Sequence, residues 1–244
     1  RNVKEGERVF YTRRNAEFID TARQHIEGIP QHLQKFFIGP LIVKASVHNN
    51  TAGVFKGFYK NRKGIGAFGG EGANALVRIL GEIDVSLPTL SNHEAMVVVT
   101  QEDAVRFSQT HTDRFDLVYM DPPYNQHPYG SNYFMLNLIA DYQRPAACSR
   151  VSGIPDDWNR SPFNKPQSAA HALFSVIEEL NASHFLISYN SEGFIQKDEF
   201  VARLELMGNL TMLETRYNAY RGSRNLSSRD QYVTEYLFLL EKNK

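Results

Sequence analysis

Cysteine is nearly absent: Cys148 is the only one in 244 residues. A single thiol excludes an internal disulfide and any cysteine-cluster metal site, and it makes a cytoplasmic chain the simplest reading. No run of about 18 apolar residues occurs, so no helix of this sequence is expected to cross a membrane. No signal peptide is visible either. Net charge is absent too, because 27 Lys and Arg balance 27 Asp and Glu. A polyanionic partner would have to be met by local basic patches. There is no internal repeat, zinc pattern, phosphate-loop motif or nucleophile elbow. His48, His93, His127 and His184 are scattered and read as structural. The first residue is Arg1, not methionine, so a natural start upstream is expected.

What is present is enough for one sizeable core and a small appendage, with 42% of residues hydrophobic. Asn15 is placed to cap a helix that runs to about Glu27, with Phe18, Ile19, Ala22 and Ile26 on one face. A second helix is expected from Phe36 to Val47, started or kinked by Pro40. Asn74 to Ile83 also reads as helical. Glu94 to Thr100 is β-branched and reads as a strand, followed by a helix from Ala104 to Gln109. Helices are expected over Ser131–Tyr142, Ala169–Leu180 and Lys197–Met207. Strands are expected over His184–Asn190, Leu210–Tyr217 and Val233–Glu241. Residues 143–166 read as a long loop, a length that is usually functional or mobile.

The most informative stretch is Asp116-Leu117-Val118-Tyr119-Met120-Asp121-Pro122-Pro123-Tyr124. It opens as a buried strand. Asp121 then stands at the carboxyl end, where open α/β sheets place their ligands. Pro122 and Pro123 stop the strand and stiffen the turn. Four residues thus offer a charged acceptor, a backbone acceptor and a flat aromatic face. Together they suit a planar base with an exocyclic amine.

Asp121-Pro122-Pro123-Tyr124 resembles the catalytic tetrapeptide of adenine-N6 DNA methyltransferases, and the run from Asn125 to Tyr133 is similar to that of the Dam-like branch. Arg160-Ser161-Pro162-Phe163-Asn164-Lys165 and Ser188-Tyr189-Asn190-Ser191-Glu192-Gly193 continue the resemblance. It implies a Rossmann-like α/β sheet that binds S-adenosyl-L-methionine and acts on double-stranded DNA, in a restriction–modification setting. It also implies catalytic roles for Asp121, Pro122, Pro123 and Tyr124, and cofactor contacts from Asp103, Ala104 and Asp121. Asp103 equally suits a helix cap, and one carboxylate can serve both roles.

Lys56, Lys60, Arg62 and Lys63 interleave with aromatics within residues 45–75, which read as a DNA-contacting insertion. A solvated basic turn is the bland alternative. Gly64-Ile65-Gly66-Ala67-Phe68-Gly69 matches the dinucleotide fingerprint, but a basic tract precedes it where a strand is required. Arg221, Arg224 and Arg229 suit a loop that grips phosphates, or an ordinary hairpin tip. The family's F-x-G-x-G-like loop is missing. Residues 1–244 therefore read as a partial catalytic domain, completed by an upstream segment or a partner subunit. Two other readings stay open: methylation of RNA or protein, and a non-catalytic DNA-binding fragment.

Overall fold

The computed structural model describes residues 3–218 and 231–243. In chain order the helices are α1 (Arg13–Glu27), α2 (Gln31–Val47), α3 (Leu76–Leu80), α4 (Ala104–Thr110), α5 (Tyr129–Asn132), α6 (Phe134–Asp141), α7 (Pro166–Glu179) and α8 (Lys197–Glu205). The strands are β1 (Phe115–Met120), β2 (Ala182–Asn190), β3 (Gly208–Asn218) and β4 (Tyr232–Lys242). The chain divides into two compact units, one of residues 1–96 and 129–158, the other of residues 97–128 and 159–244.

The first unit is helical. Ile19 and Ile26 of α1, Leu41 and Ala45 of α2, Ile83 and Ile139 form its core. Thr12, not Asn15, caps α1, its hydroxyl accepting the Asn15 N–H at 3.2 Å. Asn15 is buried instead. Its amide donates to the Gly81 carbonyl at 2.9 Å and accepts the Ile83 N–H at 3.2 Å, tying α1 to the segment after α3. Phe18 lies largely outside the core, and Arg23 takes a buried place on the same helix. Arg23 is held by Glu27 at 2.8 Å, the Ala140 carbonyl at 3.2 Å and the Tyr142 ring at 5.0 Å. The helix α2 starts earlier than Phe36 and runs through Pro40. The helix α3 is half the expected length, since Ala73 and Ala75 are left-handed and Gly81 is extended.

The second unit is an α/β layer. Its sheet has the order β1-β2-β4-β3, with β1 and β2 parallel and β4 antiparallel to both neighbours. Phe185, Ile187, Phe238 and Leu240 pack from the sheet against Leu173 and Ile177 of α7 and Phe200 and Leu204 of α8. Lys242 closes the end of α7. Its ammonium donates to the carbonyls of Ile177, Glu178 and Leu180 at 2.8, 2.7 and 3.0 Å, where the helix dipole favours a cation.

Two expectations are corrected here. The segment Glu94–Thr100 forms no strand, and Met96 and Val99 are 94% and 87% exposed. Three consecutive valines favour a strand only where a neighbouring ladder accepts their backbone groups, and none lies beside them among the described residues. The second correction concerns β1. Phe115, Val118 and Met120 pack on the core, but Leu117 and Tyr119 are 55% and 60% exposed. Among the described residues β1 is an edge strand paired only with β2.

Candidate active site

The site grows from the carboxyl end of β1. Backbone pairing with β2 runs to Met120 opposite Ile187, and the chain leaves the ladder at Asp121. Asp121 is exposed, Pro122 is buried, and Tyr124 is half-buried. The turn is pinned at two successive carbonyls. That of Tyr124 accepts the Phe194 N–H at 2.9 Å, and that of Asn125 accepts the Asn164 amide at 2.7 Å. Asn125 also caps its own turn by accepting the His127 N–H at 3.0 Å. Asn164 sits in a short 3-10 helix, Pro162–Asn164, capped by Ser161. The three family-like runs thus meet at one place: the turn, the Arg160–Lys165 run and the segment after β2.

The Tyr124 ring meets Tyr189 edge-on at 6.2 Å between centroids. Burial raises its phenol above the ordinary range. A hydrogen bond from Asn190 pulls the other way, and Glu235, Glu192 and Asp121 add to the rise. The Glu235 carboxyl is also raised, first by burial and then by Asp121 and Glu192, against a hydrogen bond from Asn190. Sequence reasoning gave no role to Asn164, Asn190 or Glu235. The first two stood inside family-like runs, which was their only signal. Glu235 had none, since its place depends on the register of β4.

Asp103 caps α4. A single carboxylate oxygen, Oδ1, accepts the N–H groups of Val105 and Arg106 at 3.0 and 3.1 Å, and Asp103 and Ala104 are exposed. The capping role is therefore present, and it uses only one of the two oxygens.

The basic tract lies in the first unit, on a tight hairpin. Lys60 and Gly66 form an antiparallel bridge, and Asn61 turns the chain, its side chain accepting the N–H groups of Lys63 and Ile65 at 3.0 Å each. Gly64 at the turn has φ +77°, a conformation that suits glycine. Lys56, Arg62 and Lys63 are exposed, while Lys60 lies half-buried with its ammonium 5.2 Å from the Phe58 ring. Arg62 pairs with Glu71 at 3.5 Å. Asn50, fully buried, ties the hairpin base together by donating to Val9 and Ala67 carbonyls at 2.8 and 3.2 Å and accepting the Gly69 N–H at 3.0 Å.

Most of the N–H groups of the glycine loop are engaged within the hairpin. The N–H groups of Gly64, Gly69 and Gly70 bond to Asn61, Asn50 and Ala67. A Cβ on Gly66 would fall 2.4 Å from a Val9 methyl, so that glycine serves close packing. Arg221, Arg224 and Arg229 lie outside the described residues. No group of three or more metal-ligating side chains occurs among the described residues, and none of their helices is long and apolar enough to cross a membrane.

Residues 78–202 match the family model for D12 class N6 adenine-specific DNA methyltransferases. That span includes β1, the Asp121–Tyr124 turn, α7 and β2. The chain is 28% identical over 240 residues to the type II methyltransferase M.CviAII of Paramecium bursaria Chlorella virus 1, covering 96% of this chain and 67% of that protein. It is 26% identical over 244 residues to the type II methyltransferase M.NlaIII of Neisseria lactamica, covering 97% and 68%. Against the modification methylase StsI of Streptococcus sanguinis it is 25% identical over 250 residues, covering 97% of this chain and 35% of that one. No solved structure matches the chain. The chain belongs to the D12 class of N6 adenine-specific DNA methyltransferases, and its mixed α/β sheet is consistent with the Rossmann-like methyltransferase fold.

Proposed function

We propose that this chain carries the base-activating part of a site-specific adenine-N6 methyltransferase. Its substrate is double-stranded DNA, its methyl donor is S-adenosylmethionine, and its setting is restriction–modification. The observation that carries the reading is the pinned Asp121–Tyr124 turn at the carboxyl end of β1, with Asp121 open to solvent.

Adenine's exocyclic nitrogen is a poor nucleophile because its lone pair is delocalised into the ring. Asp121 and the Pro122 carbonyl each accept one of its N–H bonds. The nitrogen then moves toward tetrahedral geometry, and its lone pair is freed. Fixed acceptors need no reorganisation as the charge develops. S-adenosylmethionine supplies an electrophilic methyl group on its sulfonium. The target nitrogen is out of reach inside a duplex, so the base is flipped out. The ring of Tyr124 then stacks on it, a contact worth about 1–3 kcal/mol. Lys56, Lys60, Arg62 and Lys63, with Arg221, Arg224 and Arg229, are the proposed phosphate contacts. Pro123 stiffens the turn.

Asp103, Ala104 and Asp121 fit the cofactor in part. The exposed Asp103 carboxylate suits an adenine amine, and Asp121 suits a cationic group. The glycine loop offers the methionine part little, since the N–H groups of Gly64, Ile65, Ala67, Gly69 and Gly70 are spent within the hairpin. We therefore place the rest of the cofactor site on a further segment or subunit that pairs with the open edge of β1 and covers Leu117 and Tyr119. The same gap is what favours the second reading, a non-catalytic DNA-binding subunit. Calorimetry separates them. Residues 1–244 alone are expected to bind S-adenosylmethionine weakly or not at all, and to gain micromolar affinity when the completing segment is supplied. Micromolar binding by residues 1–244 alone would refute the completing segment. Continued failure to bind with the segment present would favour the non-catalytic reading.

A further inference from the structure

The register of β1 on β2 ends at Met120 opposite Ile187, and Tyr189 stands two residues further along β2, in step with the buried Phe185 and Ile187. Its ring therefore lies level with the catalytic turn, past the end of β1. It is 3% exposed, packs on Phe200 at 4.9 Å between centroids and meets the Tyr124 ring edge-on at 6.2 Å. The residues after β2 fold back over this ring. The N–H groups of Glu192 and Gly193 bond to the side chain and the carbonyl of Asn190, at 3.0 Å each. The next two turn to different partners. Phe194 donates to the Tyr124 carbonyl at 2.9 Å, and Ile195 donates to the Tyr189 hydroxyl at 3.3 Å. That hydroxyl directs its own hydrogen at the Tyr124 carbonyl, 3.5 Å away. One phenol thus joins the 190–195 turn to the catalytic turn, as acceptor for the first and donor for the second. The fold-back is tight. A Cβ on Gly193 would fall 2.1 Å from the Tyr189 ring and 2.8 Å from its oxygen. Gly193 is not among the left-handed glycines, so space is the reason for it.

We propose that Tyr189 is a positioning residue for the Asp121–Tyr124 turn, and that the missing side chain of Gly193 is what lets it reach that turn. This rests on the reading of the turn as the base-activating site. Tyr189 is buried and meets no substrate. It holds the Tyr124 ring by an edge and the Tyr124 carbonyl by its hydroxyl. A turn held at both places keeps the Pro122 carbonyl and the face of Tyr124 fixed before the base arrives. The benefit falls on the reacting complex and not on affinity for DNA.

Two measurements test this, on protein expressed from the natural start of its gene. The first needs no activity. With phenylalanine labelled by nitrogen-15, the Phe194 amide is identified by its loss in Phe194→Leu, and its exchange with solvent reads its bond to the Tyr124 carbonyl. Tyr189→Phe keeps the ring and removes only the hydroxyl. The Phe194 amide is expected to exchange about tenfold faster in that variant. An unchanged rate overturns the proposal. The second measures transfer of labelled methyl groups into unmethylated genomic DNA. Tyr189→Phe should lower kcat by roughly tenfold with the KM for DNA unchanged. Gly193→Ala should lower it by about 10²-fold, because the ring has to move. Leucine at position 189 ends short of the atoms that the new methyl group would strike. Adding Gly193→Ala to Tyr189→Leu should therefore cost nothing further. Losses that multiply in that pair, or a Tyr189→Phe loss that falls on KM alone, overturn the positioning role. If Gly193→Ala fails to fold, Tyr189→Phe decides by itself. A parent protein that transfers nothing to DNA contradicts the methyltransferase reading instead, and the amide exchange still decides the tie.

Discussion

Asp121→Ala is expected to abolish methyl transfer, by a factor of at least about 10²–10³, the range found when a preorganised polar group is removed from a reacting centre. DNA binding should change by less than about twofold, because Asp121 is a single carboxylate and duplex affinity comes mainly from cations on phosphates. The structure explains why fold and chemistry should separate here. Asp121 is exposed, backbone pairing of β1 with β2 runs no further than Met120, and the turn is held at the Tyr124 and Asn125 carbonyls. Single-turnover transfer and a filter-binding titration on the same preparation check this. Transfer within a few-fold of the parent would remove Asp121 from the reaction.

The second large effect concerns the hairpin. Replacing Lys60, Arg62 and Lys63 together by alanine should weaken duplex binding and flatten its dependence on salt. The slope of log K against log salt should fall by about 0.9 for each phosphate left without its cation. The three are not equal. Lys63 is exposed and should contribute most, Arg62 already shares its charge with Glu71, and Lys60 leans on Phe58. The hairpin itself should survive, because Asn61 forms its turn and Asn50 ties its base. Binding constants over a range of salt concentrations measure the slope. An unchanged slope would make this tract a solvated surface turn.

Local chemistry made much of this legible. The turn after β1 combines an apolar run, an acid and two prolines, and each acts on its nearest neighbours. The same holds for α7, α8 and the strands β2, β3 and β4, whose periodicity marks them directly. Glu94–Thr100 failed because strand propensity is realised only through a partner ladder, and the valines have none among the described residues. Asn15 was misread because two residues competed to cap α1. Thr12 took the task, while Asn15 was drawn to groups 66 and 68 positions away. The glycine loop matched a fingerprint by spacing, but its N–H groups close a hairpin, a fact that depends on the distant Asn50. Asn190 and Glu235 became visible only through the register that sets β2 against β4. No periodicity carries that information.

The central claim is that adenine N6 in DNA receives the methyl group. The direct measurement expresses the gene from its natural start in a host whose DNA has no adenine methylation. The genomic DNA is then digested to nucleosides for mass spectrometry, and modified positions are mapped on intact DNA. N6-methyladenine at one recurring short sequence is predicted, and it should vanish in Asp121→Ala. Methylated cytosine, methyl groups found only in RNA or protein, or unmodified DNA from cells that accumulate the folded protein would contradict the account.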